Sequence, residues 1–289
     1  MASKKTIIAL MYDFDKTLCT KDMQEYTFIP NLRMKAETFW AKSKDRAKKE
    51  QMDSVAAYMY TMLIEATAAQ KSICRQDFVA AGKEVEFFPG VEDWFARINA
   101  FGKDQNVVIE HYIISSGLRE IIEGTAICRE FKKIYASEFH YNPSGAADWP
   151  KLLVNFTEKT QFLFRINKGV LDICENNELN KFKPDHERRI PFSNMIYLGD
   201  GFTDVPCMKL TRTNGGKSIA VYPNRRTEQV KELLKDKRVD FIAKADYSAE
   251  SELEHIVKEI ITNIVTSEKL ISRHARQIKE ISKNCLSKK

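Results

Sequence analysis

The 289-residue sequence lacks most of the features that mark specialised classes of protein. Its six cysteines form no CxxC pair and its five histidines form no spaced pair, so neither a disulfide framework nor a typical zinc site is indicated. No apolar run approaches the roughly 20 residues that span a membrane, and the N-terminal run is too short for a signal peptide. Internal repeats and low-complexity segments are absent as well. The sequence predicts a cytoplasmic globular protein that does not act at a membrane.

The net charge of +6 is mild for a chain of this length. The excess of lysine and arginine comes partly from Lys42–Lys49 and from residues 269–289. Neither stretch is combined with a nucleic-acid-binding motif, so a solvated surface is predicted and a nucleic-acid partner is not. A chain of 289 residues is long for one compact core, which favours a domain with a sizeable insertion or two domains.

Two carboxylates follow the first apolar run. Ile7–Tyr12 has the composition of a strand buried on both faces, and Asp13 and Asp15 come directly after it. Side chains alternate along an extended chain, so the two acids point the same way, with Phe14 turned into the core. Close carboxylates repel each other unless a cation or a shared proton relieves them, and a hard cation such as Mg²⁺ takes oxygen ligands. The alternative is a solvated strand end without chemistry.

Polar groups also follow two later apolar runs. Val107–Ile114 leads into Ser115-Ser116-Gly117, where a hydroxyl and the free amides of a following helix could bind phosphate, although either serine could simply cap that helix. Met195–Leu198 leads into a glycine-rich loop that carries Asp200 and Asp204. Carboxyl ends of parallel strands meet at one sheet edge, so the sequence predicts an α/β fold with a doubly wound parallel sheet and one convergent site.

The segment 21–86 has a different character. It contains no glycine before Gly82, and its apolar residues recur at helical spacing, which indicates about three helices. We therefore predict a core domain of residues 1–20 and 87–289, closed by a C-terminal helix over 249–285, and a helical cap domain of residues 21–86.

Two elements are predicted between the second and third site-forming strands. Ile134–Tyr141 and Lys151–Phe156, separated by a turn-like Asn-Pro-Ser-Gly, resemble a hairpin. Thr160–Ile173 is helix-like and carries Lys168 between Asn167 and Gly169.

Four short motifs occur in the order typical of one family. They are DFDKTL at 13–18, the serine that ends IIS at 113–115, Lys168 in INKG, and GDGFTD at 199–204. Together they resemble the haloacid dehalogenase-like (HAD) hydrolase superfamily, and the long insertion after the first motif resembles its phosphoserine-phosphatase-like branch. The resemblance implies a Rossmann-like core with a helical cap inserted after the first strand.

The resemblance also implies roles for particular residues. Asp13 would be the nucleophile that forms an aspartyl-phosphate, and Asp15 the general acid and base. Ser115 and Lys168 would bind the transferring phosphoryl oxygens. Ser115 rather than Ser116 is predicted because it is the first residue past the apolar run.

The metal implied by the resemblance is Mg²⁺. Its ligands would be Asp13, the backbone carbonyl of Asp15 and Asp200, and Asp204 would tie the cluster together. The cation and the lysine would neutralise a site in which a carboxylate attacks an anionic phosphate.

The expected substrate is a small phosphorylated metabolite, because a cap over the site excludes large ligands. Phosphoserine phosphatases carry a glutamate nine residues after the nucleophile, where it meets the substrate's ammonium, and here that position is Asp22, which is shorter but has the same charge. Arg33, Arg46 or Arg75 could bind a substrate carboxylate, but the sequence does not rank them, and phosphoserine is possible without being favoured. A phosphotransferase with the same intermediate and a catalytically silent binding module remain alternatives. The sequence makes no prediction of the oligomeric state.

Overall fold

The computed structural model describes residues 5–71, 73–224 and 228–286, so both ends of the predicted core domain lie partly outside the described residues. The strands are β1 (Ile7–Tyr12), β2 (Val108–Leu118), β3 (Phe131–Tyr141), β4 (Ala147–Leu152), β5 (Met195–Gly199), β6 (Lys217–Tyr222) and β7 (Phe241–Lys244). In the described part of the chain they form one sheet in the order β4-β3-β2-β1-β5-β6-β7.

The sheet is parallel except for the antiparallel pair β3–β4. Strand β1 lies between β2 and β5, with Tyr12 opposite both Ile113 and Leu198. Its residues alternate between two apolar clusters, Leu10 in one and Met11 in the other, which explains why the whole strand is apolar. The predicted doubly wound α/β fold is confirmed, and the ends of β1, β2 and β5 lie side by side.

Helices cover both faces of this sheet and form the segment after β1. They are α1 (Phe28–Asn31), α2 (Ala36–Glu50), α3 (Ser54–Ala68), α4 (Arg75–Ala81), α5 (Val91–Asp104), α6 (Arg119–Glu123), α7 (Glu158–Lys168), α8 (Asn176–Asn180), α9 (Val205–Thr213), α10 (Glu228–Lys235) and α11 (Glu252–Leu286). Among the described residues, no helix combines the length and the apolar character that crossing a bilayer requires.

The insertion that follows β1 is helical, as predicted, and contains α1 to α4. Its apolar side chains, including Phe28, Phe39 and Phe78, belong to the same buried cluster as one face of the sheet. The ring of Phe78 stacks on that of Phe139 from β3, with centroids 5.9 Å apart. The insertion therefore packs directly on the sheet, and its division from the core at residues 21 and 86 stays a prediction.

Several element boundaries differ from those predicted. Strand β2 continues through Ser115-Ser116-Gly117 to Leu118, so the helix after it, α6, has only five residues. The return strand of the hairpin, β4, begins at Ala147, because the side-chain oxygen of Asn142 accepts hydrogen bonds from backbone amides of the turn and reverses the chain at once.

Helix α7 also begins and ends earlier than the predicted Thr160–Ile173. Asn155 Oδ1 accepts a hydrogen bond from the backbone N–H of Glu158 at the start of the helix. The helix ends at Gly169, whose φ of 77° is the left-handed conformation that glycine adopts most readily. Lys168 is therefore the last residue of α7, at the end far from its first turn.

Candidate active site

Three carboxylates meet at the end of the central strands. Asp13 follows β1, and its backbone N–H donates to the carbonyl of Leu198 on β5 at 2.9 Å. Asp200 follows β5, and Asp204 immediately precedes α9. One carboxylate oxygen from each of Asp13, Asp200 and Asp204 lies within 4.8 Å of the others. The structure thus brings together acids that the sequence places after two separate strands.

A buried lysine joins two of these acids. Lys159 Nζ lies 2.9 Å from Asp13 Oδ1 and 2.8 Å from Asp204 Oδ1, and its side chain is 1% exposed. The hydroxyl of Tyr197 donates to the same Asp204 oxygen at 2.7 Å. Asp13, Lys159 and Asp204 therefore form a buried chain of opposite charges, with Asp200 beside it.

Lys168, the lysine predicted for this site, lies elsewhere. Its Nζ donates to the backbone carbonyls of Leu179 and Lys181, at 2.6 and 2.8 Å. Lys159 is in the first turn of α7 and Lys168 at its end, and at 1.5 Å per residue the two are about 13 Å apart along the axis. A helix that begins at the sheet edge brings only its first turn to the site. The structure thus places the lysine of INKG at the end of α7 opposite to the first turn, and does not bring it together with the acids.

Burial and mutual repulsion shift the pKa values of this cluster. Burial, and then the charge of Asp204, raises the pKa of Asp13 to about 7, while Lys159 acts in the opposite direction. Burial, followed by Asp204 and Asp13, holds the pKa of Asp200 well above its usual value. Burial alone would lower the pKa of Lys159, but Asp13 and Asp204 outweigh it, so that pKa is raised and the amine stays charged. The cluster holds more negative charge than its lysine compensates.

The chemistry of these groups fits a hard divalent cation. Asp204 Oδ2 is buried and accepts no hydrogen bond from any described residue. A Cβ added at Gly199 would lie 2.5 Å from that oxygen, so the backbone approaches it more closely than any other residue would allow. Three carboxylates with an unsatisfied oxygen are the donor set that Mg²⁺ or Ca²⁺ prefers.

Asp15 lines a cavity that Asp13 and Asp200 also line. Its Oδ1 accepts the backbone N–H of Met23 at 2.8 Å and the thiol of Cys19 at 3.7 Å. Burial, followed by the charges of Asp22 and Asp13, holds the pKa of Asp15 well above its usual value. Asp15 is therefore able to carry a proton at a position beside the cluster.

The two serines at the end of β2 have different surroundings. Ser115 is fully buried, and its Oγ accepts the backbone N–H of Gly117 at 3.0 Å, which leaves its own proton to be donated. Ser116 lines the cavity, and its buried Oγ has no hydrogen-bond partner among the described residues. The sequence placed the hydroxyl of interest at Ser115, and the structure adds Ser116 as a second candidate.

A cavity of about 540 Å³ lies between this sheet edge and the insertion. Asp22 lines it, as does Lys16, whose Nζ lies 2.6 Å from Asp22 Oδ2. The hydroxyl of Tyr58 on α3 donates to the carbonyl of Ser116 at 2.7 Å and ties the insertion to the sheet edge. This size is typical of sites for small molecules.

The fold and the site define an α/β protein with a buried carboxylate–lysine centre at the carboxyl edge of its sheet. The model of the haloacid dehalogenase-like hydrolase family matches residues 10–209, and the chain belongs to this family. A relative from Borreliella burgdorferi, described as an uncharacterized protein, is 26% identical over 288 residues, which is 90% of this chain and 99% of that protein.

Solved structures with a similar fold include two of interest. A HAD family hydrolase from Salmonella enterica serovar Typhi has a TM-score of 0.55 at 17% identity, over 84% of this chain and 71% of that chain. A substrate-bound phosphoserine phosphatase has a TM-score of 0.56 at 14% identity, over 89% of this chain and 99% of that chain. At these identities the similarity describes the fold.

Proposed function

We propose that the protein is a Mg²⁺-dependent phosphomonoester hydrolase that works through an aspartyl-phosphate. The observation that carries this proposal is the buried contact of Lys159 with both Asp13 and Asp204, next to Asp200. A carboxylate that is held by a lysine and surrounded by acids is arranged for attack on an anionic group once the charge is balanced. Membership of the HAD hydrolase family supports the same reaction class.

In the first half of the reaction, Asp13 is the nucleophile. Its Oδ1 accepts from Lys159, which leaves Oδ2 to form the new bond to phosphorus. The bond between phosphorus and the alcohol oxygen breaks, and the proton held on Asp15 passes to that oxygen. The raised pKa of Asp15 supports this role, because the acid must be protonated before the alcohol leaves.

In the second half, Asp15 acts as a base. It accepts a proton from a water molecule, whose oxygen attacks the phosphorus of the aspartyl-phosphate. The bond between phosphorus and Asp13 Oδ2 breaks, and inorganic phosphate and the free carboxylate are formed. The proton on Asp15 is then available for the next cycle.

Asp13, Asp200 and Asp204 would hold the cation, with the backbone carbonyl of Asp15 as the further predicted ligand. When bound, Mg²⁺ supplies positive charge that offsets the repulsion between the carboxylates and the phosphoryl oxygens. Lys159 adds to this charge and takes the role predicted for Lys168.

Serine hydroxyls at the end of β2 would bind the other phosphoryl oxygens. Ser115 remains the predicted residue, since its Oγ already accepts from Gly117 and has a proton to donate. Ser116 is the second candidate, because its Oγ lacks a partner among the described residues and the residue lines the cavity.

A small phosphorylated metabolite is the proposed substrate, and Asp22 is the proposed specificity residue. The volume of about 540 Å³ supports a substrate of this size. A neighbour in fold is a substrate-bound phosphoserine phosphatase, which supports a phosphate ester without identifying its alcohol.

The test is phosphate release from a panel of phosphorylated metabolites, with and without Mg²⁺, and with Asp13→Asn in parallel. The panel contains phosphoserine, sugar phosphates, nucleotides, pyridoxal phosphate and an aryl phosphate. Release that requires both Mg²⁺ and Asp13 supports the proposal. Release only after an acceptor alcohol is added favours a phosphotransferase, and no turnover of any compound favours a silent binding module.

A further inference from the structure

The insertion and the turn before it form one wall of the catalytic cavity, which we call the insertion wall. The residues used below to describe its chemistry are Gln24, Trp40, Ser43, Lys44, Ser54 and Tyr58. Because the reacting groups lie at the sheet edge, this wall faces the alcohol part of a bound phosphate ester. Its chemistry therefore indicates the kind of alcohol that the site accepts.

Gln24 is the most informative residue of this wall. It lies in a short 3₁₀ turn, Met23–Glu25, two residues after Asp22, and it is 2% exposed. It lines the cavity, yet its Oε1 accepts no hydrogen bond from any described residue. A buried carbonyl oxygen without a donor is unfavourable, so a bound molecule that supplies a hydroxyl or N–H would satisfy it.

The charge of the insertion wall does not suit an amino acid. None of the three arginines considered from the sequence lines the described cavity. Arg33 is exposed, the guanidinium of Arg46 lies 4.9 Å from the ring centroid of Tyr60, and Arg75 pairs with Glu123. The one cation that the described insertion residues contribute is Lys44, which is exposed.

Asp22 does not offer an unpaired carboxylate to a substrate amino group. Its carboxylate is paired with Lys16 at 2.6 Å, so its charge is already balanced within the protein. The ammonium of a zwitterion would have to compete with Lys16 for Asp22, and its carboxylate would meet lysines, Lys16 and Lys44, which lack the bidentate geometry that an arginine provides.

The remaining groups of the wall are uncharged, and two are aromatic. The indole N–H of Trp40 donates to Glu25 Oε1 at 2.7 Å, which fixes the ring. The rings of Trp40 and Tyr58 meet edge to face at 6.0 Å. The hydroxyls of Ser43 and Ser54 lie on the same wall. Aromatic faces beside hydroxyls and an amide suit a ring with C–H groups on its face and hydroxyls around its edge.

We propose that the substrate is the phosphate ester of an uncharged polyhydroxy alcohol, and that Gln24 Oε1 accepts a hydrogen bond from one of its hydroxyls. This inference rests on the proposed phosphatase function and names its substrate class. A sugar phosphate and the ribose of a nucleotide share this chemistry, and the cavity of about 540 Å³ has room for either.

The experiment compares wild type with Gln24→Met on hexose phosphates, nucleoside monophosphates, phosphoserine and p-nitrophenyl phosphate. Methionine keeps the length of the side chain and removes the acceptor oxygen. For the preferred polyhydroxy substrate we expect KM to rise about 5- to 10-fold with little change in kcat, as for loss of one hydrogen bond to an uncharged group. For p-nitrophenyl phosphate, which has no hydroxyl donor, the change in kcat/KM should be clearly smaller than for the polyhydroxy substrate. Gln76→Met, at an exposed position of α4, is the matched control.

Comparison of the hexose phosphates with the nucleoside monophosphates shows whether the alcohol is a free sugar or the ribose of a nucleoside. Preference for phosphoserine by the wild type, or an equal effect of Gln24→Met on all substrates, would overturn the inference while leaving the phosphatase intact.

A calorimetric titration of Asp13→Asn, with and without Gln24→Met, measures binding without turnover. If the wild type hydrolyses nothing but Gln24→Met still weakens binding of the polyhydroxy phosphate selectively, the proposed function fails, and the inference holds for the class of ligand bound at Gln24 but not for a substrate. If neither hydrolysis nor selective binding is seen, both fail.

Discussion

The two sides of the cavity beside Asp13 bury polar groups in different ways. On the sheet side, Asp13, Asp204 and Lys159 are buried as charges that compensate one another in part. On the insertion side, Gln24 and Tyr58 are buried as uncharged groups, one with an unsatisfied oxygen and one bonded to a backbone carbonyl. Buried charges interact strongly with the charged groups of a reaction. Buried uncharged groups discriminate between ligands, and their own desolvation penalty is smaller. Under the proposed function, the difference separates the part of the site that reacts from the part that selects the substrate.

The largest expected effect comes from removing the proposed nucleophile on the sheet side. Asp13→Asn should lower kcat by at least about 10³-fold, because an amide cannot form the aspartyl-phosphate. Phosphate release on the best substrate measures this. Asp185→Asn, at an exposed position of the described chain, is the control and should retain full activity. Comparable rates for Asp13→Asn and wild type would refute covalent catalysis by Asp13.

The next largest effect separates the two lysines of α7. Lys159→Met should lower kcat/KM by about 10²- to 10³-fold, since it removes the buried positive charge beside Asp13 and Asp204. Lys168→Met should stay within about twofold of wild type in activity, because Lys168 Nζ donates to backbone carbonyls and Lys168 is not among the described residues that line the cavity. Steady-state kinetics of both variants, with circular dichroism to verify folding, decide between them. Greater loss in Lys168→Met would restore the lysine predicted from the motif.

The two lysines of α7 show which parts of the candidate site can be predicted from the sequence. The acids at 13, 15, 200 and 204 could be found because they follow strands whose apolar residues are continuous in sequence. Which lysine reaches the acids depends on where α7 begins, and only a few residues determine that start. The side chain of Asn155 starts α7 soon after β4, and this puts Lys159 in the first turn. A lysine in the first turn of a helix that follows a strand was the available signal.

The chemistry of the insertion wall was less accessible to sequence analysis. Its helices could be predicted from the spacing of apolar residues, but the residues that face the cavity depend on how the helices pack on the sheet. Gln24 has no motif that marks it, and Ser116 was passed over from sequence in favour of the neighbouring Ser115. Their interest comes from a buried oxygen without a partner, which only the three-dimensional arrangement reveals.

A smaller effect is expected from the link between the two sides of the cavity. Tyr58→Phe removes the hydrogen bond of 2.7 Å from α3 to the carbonyl of Ser116. A neutral hydrogen bond contributes about 0.5–1.5 kcal/mol, so KM should rise about 2- to 10-fold while kcat changes little. Tyr60→Phe, on the same helix at a more exposed position, is the matched control. A large fall in kcat for Tyr58→Phe would mean that the tie also orders the reacting groups.

The last prediction concerns stability and not activity, and it tests whether a polar group outside the cavity is also buried in its neutral form. Trp94 donates to the hydroxyl of Tyr12, which in turn lies 3.0 Å from His111 Nδ1. His111 Nε2 lies 3.2 Å from Asn99 Oδ1, so the chain is satisfied when His111 is neutral with its proton on Nε2. Burial lowers the pKa of His111 from 6.5 to about 3.

The unfolded chain binds a proton at this histidine below about pH 6.5, whereas the folded protein does so only near pH 3. His111 should therefore reduce stability as the pH falls through this window, by up to about 1.4 kcal/mol per pH unit. Urea unfolding of wild type and His111→Gln from pH 7.5 to 4 measures it. The stability difference between them should shift in favour of the variant as the pH falls, and a difference independent of pH would contradict this account.

The insertion and one face of the sheet share a single buried cluster, in which Phe28, Phe39 and Phe78 lie with Leu10 and Phe139. Neither part has a separate interior on that side. We expect calorimetry to show one cooperative transition for this region, and an isolated insertion to expose the rings that now contact β3. The insertion would then be hard to exchange between relatives as a module, so its specificity would change through point substitutions on the cavity wall.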